Sequence, residues 1–132
     1  MKRQNTPWDD LLPIEDDHGM GLGRIPEILR KKRLHYEQPP ITIIPYREKF
    51  IVWDGHGRTT GFMLCRKVYV PSVILENDKD MRRAVMGTRE PFKSLEKIRQ
   101  EYELEISPKL ESLGIRTFED YPVYQELLRR CA

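Results

Sequence analysis

Lys49-Phe50-Ile51-Val52-Trp53-Asp54-Gly55-His56-Gly57-Arg58-Thr59-Thr60-Gly61-Phe62-Met63-Leu64-Cys65-Arg66-Lys67 is the stretch on which the reading of this chain turns. Phe50 to Trp53 is a short apolar run and reads as a strand. Asp54 to Arg58 stops it with two glycines and reads as a tight turn, and Thr59 to Lys67 then opens a helix. Gly55 and Gly57 let the turn reach positive φ and let a backbone or a ligand come close. A helix start presents unpaired N–H groups and the positive end of the dipole. His56 and Arg58 add side-chain donors at the same place. The stretch therefore predicts a seat for an anion, most simply a phosphate.

Upstream, Ile41 to Ile44 is β-branched and strand-like, and Pro45 to Lys49 is turn-like. The two runs make a hairpin whose second strand delivers the Asp54–Arg58 turn. Pro39-Pro40 holds the backbone before it extended. A helix is expected from about Pro26 to Arg33, with Pro26 at its first position and Ile25, Ile28 and Leu29 on its apolar face. The glycines at 19, 21 and 23 precede it but lack the Lys and Ser/Thr of a P-loop, and read as a connection. Trp8 to Ile14 is a short apolar stretch, and Met1 to Pro7 reads as loose.

Downstream, Val68 to Leu75 is a further strand, in which Pro71 marks an edge, a strand start or a bulge. A short helix is expected from Lys79 to Met86. A longer one runs from Pro91 to Ile106, with Phe92, Leu95, Ile98, Tyr102 and Ile106 on one packing stripe. Ser107-Pro108 restarts a helix that Gly114 ends. Asp120 is expected to cap a last helix from Tyr121 to Arg130. The fold class is α+β: a small mixed sheet with helices over residues 8–80, and a helical C-terminal extension packed on it over residues 81–132.

The totals set limits. A chain of 132 residues is one domain's worth and long enough for a core. Lys+Arg 23 against Asp+Glu 21 leaves a net charge of +2, too balanced to argue for nucleic acid by itself. The charges are unevenly placed. Asp9, Asp10, Glu15, Asp16 and Asp17 open acidic, and Arg24, Arg30, Lys31, Lys32 and Arg33 follow as a basic block, either a solvated helix face or a phosphate-binding patch. Cys65 and Cys131 fit no metal or redox spacing, which suits a reducing compartment. His18, His35 and His56 form no recognised ligand pattern with Asp54, so no metal site is expected among them. No apolar run is long enough for a membrane span, and the expectation is a cytoplasmic protein without a membrane partner.

The order strand, helix, hairpin, D-G-H-x-R turn, helix, strand resembles the ParB/sulfiredoxin-like fold over roughly Trp8 to Asp80. Phe50 to Arg58, Gly61 and the Val70–Leu75 strand carry the resemblance. Within that superfamily the turn looks most like that of the free serine kinases, ADP-dependent relatives of ParB. Those enzymes hold phosphates on a D-G-H-H-R turn and use a glutamate after their first strand as a base. Pro13-Ile14-Glu15 falls at that P-x-E segment. The resemblance thus implies Glu15, His56 and Arg58 as catalytic residues. It implies Asp54, Gly55, His56, Gly57, Arg58 and Thr59 as the nucleotide-phosphate seat, with ATP or ADP and Mg²⁺ bound there.

Three departures qualify it. Gly57 stands where relatives carry a second donor. His56 stands where sulfiredoxins have their cysteine. Only a short tail follows Asp80, without the helix-turn-helix of partition proteins. Two readings stay open. One is a nucleotide-dependent, kinase-like phosphotransferase acting on a small hydroxyl substrate. The other is a non-catalytic ParB-like module that binds a nucleotide or DNA, with nuclease activity as a third option. The C-terminal helices are the expected surface for any oligomer.

Overall fold

The structure, a computed structural model, describes residues 1–16 and 38–131. The expected helix at 26–33, its basic block, the glycine loop, His18 and His35 lie outside the described residues. Five strands are assigned: β1 (Lys2–Pro7), β2 (Leu11–Leu12), β3 (Ile41–Tyr46), β4 (Lys49–Asp54) and β5 (Tyr69–Ile74). The helices are α1 (His56–Leu64), α2 (Asp78–Val85), α3 (Leu95–Glu101), α4 (Ser107–Ser112) and α5 (Pro122–Cys131).

The sheet has the order β1-β5-β3-β4-β2. β3 and β4 form the expected antiparallel hairpin, closed by Arg47 and Glu48, with Tyr46 opposite Lys49. Arg47 takes the left-handed φ of 54° that so short a connection requires. β5 runs parallel to β3, and β2 runs parallel to β4. The expected loose Met1–Pro7 segment is instead β1, paired antiparallel with β5 from Lys2 opposite Ile74 to Pro7 opposite Tyr69. Its polar sequence concealed it. As an edge strand it buries only Thr6, so the backbone ladder holds it with little apolar patterning.

Both faces of the sheet are covered. Ile41, Ile43, Val52, Val70 and Ile74 pack on one face with Phe62, Met63 and Leu64 of α1 and with Leu110, Ile115, Phe118 and Tyr121. Ile44, Ile51 and Leu75 pack on the other face with Met81, Leu95, Ile98 and Tyr102. Adjacent Ile51 and Val52 are both fully buried because each serves one face.

The expected helix from Pro91 with a restart at Ser107 is corrected to one helical rod. α3 continues through a π-helical turn, Tyr102–Ile106, directly into α4, and Ile106 keeps αR angles. Pro108 has no N–H to give the carbonyl four residues back, and the wide turn before it absorbs that missing bond. The same turn lets the rod pass between layers. Tyr102 packs in one cluster, Leu110 in the other, and Ile106 touches both.

Gly114 ends the rod at φ 78°. Asp120 does not cap the last helix as expected. Its carboxylate accepts the N–H groups of Arg116 at 2.9 Å and Thr117 at 3.0 Å, closing a 3-10 turn over Phe118–Asp120. α5 starts instead at Pro122, a residue suited to a first helical position.

Candidate functional site

β4 ends at Asp54, and a single residue, Gly55, turns the chain into α1. Gly55 has φ 117°, and a Cβ there would lie 2.4 Å from Cγ2 of Ile41, so both its backbone and its surroundings require glycine. The helix begins three residues earlier than the sequence suggested: His56 is its first residue. The first helical bond is Thr59 N–H to the Gly55 carbonyl at 2.9 Å. The N–H groups of His56, Gly57 and Arg58 precede it and have no helical acceptor. Those N–H groups stand at the positive end of the helix, where the sequence leads one to expect an anion.

His56 is not the side-chain donor to the turn that the sequence led one to expect. It is 3% exposed, under the mouth of the helix. Its Nε2 accepts the N–H of Ile14 at 2.9 Å. An imidazole that accepts at Nε2 carries its proton on Nδ1. Nδ1 lies 3.8 Å from Oε2 of Glu15. This is no salt bridge. Burial pushes the His56 pKa down to about 3, so the ring is neutral and its Nδ1–H faces the carboxylate as a dipole.

Glu15 is thereby brought to the turn from far away in sequence. Burial, then the nearby charges of Asp54 and Asp16, push its carboxyl pKa upward. Its loop is held from a second side as well. The Tyr121 hydroxyl donates to the Glu15 carbonyl. Phe118 packs against the His56 ring at 5.4 Å between centroids, and against Tyr121 at 5.8 Å. Sequence reasoning missed Phe118 and Tyr121. Their only signal was aromatic character near the C-terminus, which reads as ordinary packing.

The cation of Arg58 in the first helical turn has its partners inside the chain. Nη1 donates to the carbonyls of Pro39 at 2.9 Å and Pro40 at 3.0 Å, and Nη2 to Oδ2 of Asp54 at 3.1 Å. Arg58 is therefore a clasp between the helix start and the 38–40 segment. Thr59 and Thr60 are fully buried, and their hydroxyls donate to the carbonyls of Gly55 at 2.9 Å and His56 at 3.1 Å. Neither side chain faces the seat. Asp54 keeps an exposed carboxylate at the rim. Among the described residues no group of three or more His, Cys, Asp or Glu side chains is arranged to hold a metal ion. No described helix is long and apolar enough to cross a membrane.

The chain is similar in structure to sulfiredoxin from Arabidopsis thaliana, with a TM-score of 0.52 and 14% sequence identity. The match covers 64% of this chain and 96% of that one, so about a third of this chain has no counterpart in it. No family model and no curated protein matches the sequence. At this identity the likeness defines the fold: the chain has a ParB/sulfiredoxin-like α+β fold.

Proposed function

We propose that the start of α1 binds the phosphates of a nucleotide, ATP or ADP, and that the protein transfers a phosphoryl group to a small hydroxyl compound. One observation carries this reading: the first turn of α1, whose His56, Gly57 and Arg58 N–H groups have no helical acceptor, carries a neutral imidazole 3.8 Å from Glu15, a carboxylate of raised pKa. The N–H groups and the helix dipole bind and orient phosphate oxygens. Glu15 takes the proton of the acceptor hydroxyl, whose oxygen attacks the terminal phosphorus as the bond to the bridging oxygen breaks.

His56 serves here as a positioning residue and does not touch phosphate. Asp54, exposed at the rim, and Glu15 are the carboxylates available to a Mg²⁺ ion, which would offset phosphate charge.

A second reading, a non-catalytic module that binds a nucleotide or DNA, is favoured by a different observation. Both Nη atoms of Arg58 and the hydroxyl of Thr59 already bond within the chain. That leaves the backbone to meet the anion, which suffices for binding but supplies little transition-state charge. The test is a thermal-shift series with ATP and ADP, each with and without Mg²⁺, followed by phosphoryl transfer assays on small hydroxyl compounds. A shift with turnover lost in Glu15→Gln supports the enzyme. A shift without turnover supports the module, and a low-salt mobility shift then separates DNA from nucleotide. No shift with any nucleotide overturns the nucleotide readings.

A further inference from the structure

We propose that the groove between the edge strand β1 and the segment leading into β3 is a second ligand site, one that takes an oxyanion group. The groove encloses about 520 Å³, within the span of roughly 300–1,000 Å³ usual for small-ligand sites. Arg3 and Asn5 of β1 line one side, Gln38 and Pro40 the other, and Phe62 of α1 closes it from beneath.

Its origin lies in the backbone. β3 begins to pair with β5 only at Ile41 opposite Ser72. Pro40 and Pro71 stand just outside that first pair, and neither has an N–H to extend the ladder. The sheet opens there, and side chains set the character of the opening.

Those side chains are donors. Nε2 of Gln38 is buried and has no hydrogen-bond partner among the described residues. A buried carboxamide N–H group left unpaired is costly and calls for an acceptor. Arg3 is exposed at the rim and pairs with no carboxylate among the described residues. Among the described residues no Asp or Glu lines the groove. A guanidinium and a carboxamide on one groove, with no acid among its described lining residues, match the oxygens of a carboxylate or phosphate group. The site is distinct from the start of α1 and stands whether or not that seat binds a nucleotide. The two are neighbours through Pro39 and Pro40, whose carbonyls Arg58 holds.

The test is an amide and side-chain NMR titration of the full chain with inorganic phosphate and, separately, with succinate. Saturable shifts are expected at the Gln38 side-chain NH₂ and the Asn5 backbone amide. The more tightly bound anion tells phosphate from carboxylate as the natural group. Arg3→Ala and Gln38→Met are each expected to weaken those shifts about tenfold, the loss of one charge-assisted contact. Both are expected to leave any response of the Gly55–Arg58 amides to ADP unchanged. Absence of saturable groove shifts with either anion overturns the proposal. So does a Gln38→Met variant that binds as tightly as the wild type.

Discussion

Lowering the pH from 7 to 5 is expected to destabilise this protein chiefly through His56. The ring has a pKa of about 3 in the folded chain against an ordinary 6.5, because burial disfavours the imidazolium. Between those values the unfolded chain binds the extra proton and the folded chain does not. The stabilising contribution is therefore complete above pH 6.5 and is lost as pH falls toward 3. At about 1.4 kcal/mol per pH unit, the loss from pH 6.5 to 5 is about 2 kcal/mol. The geometry gives the same sign, since a proton on Nε2 would break the bond from Ile14 N–H and set two donors face to face. Glu15, 3.8 Å from Nδ1, opposes the effect in part when ionised, so about 2 kcal/mol is the upper figure.

Urea denaturation at fixed ionic strength measures the slope. His56→Leu supplies the contrast. It leaves the Ile14 N–H without its acceptor, at a cost of about 1–3 kcal/mol at pH 7, but its stability should be nearly flat from pH 7 to 5. Imidazole NMR of the wild type should show the Nδ1–H tautomer and no titration across that range. A ring that titrates near 6.5, or a wild type and His56→Leu variant that lose stability in parallel, would refute this reasoning.

Other perturbations probe the surrounding framework. Gly55→Ala places a methyl 2.4 Å from Ile41 Cγ2 at a φ of 117° and is expected to cost about 3 kcal/mol or more in equilibrium unfolding. Arg58→Ala frees the carbonyls of Pro39 and Pro40. Discounted for exposure, the change should lower stability by about 1–2 kcal/mol, and amide exchange should quicken at residues 38–41. Tyr121→Phe removes the hydroxyl bonded to the Glu15 carbonyl and is expected to cost about 1 kcal/mol, with chemical-shift changes concentrated at Ile14 and Glu15. Glu15→Gln removes a carboxylate whose ionised form the fold disfavours. It should raise the melting temperature at pH 7, and the gain should disappear below the carboxylate range.

The hairpin, the glycine turn and the following helix and strand were legible because each carries its own local signal. β-branched runs, a Gly at a position that bars a Cβ, and a helix start all lie within twenty residues. β1 was not legible, since Lys2–Pro7 owes its conformation to β5 and not to its own apolar pattern. The continuity of α3 into α4 was missed because Ser107-Pro108 is a helix-start signature. A π turn that accommodates the proline leaves no mark in the sequence.

At the site, sequence placed Glu15 and the turn together only through a family resemblance, and the fold brings them within 3.8 Å. The orientation of His56 was misread. Flanking glycines signal a bare backbone, and here the bareness of Gly55 admits Ile41 while the ring goes inward. Partners from the distant C-terminus, Phe118 and Tyr121, could be found only in three dimensions.

The most direct measurement of the central proposal is an amide NMR titration of the full chain with ADP and ATP in the presence of Mg²⁺. Phosphate seated on the start of α1 should move the amides of His56, Gly57 and Arg58 saturably and first, with smaller changes at Glu15. Silence at those three amides, or shifts that begin elsewhere and reach them last, would contradict a nucleotide-phosphate seat at the start of this helix.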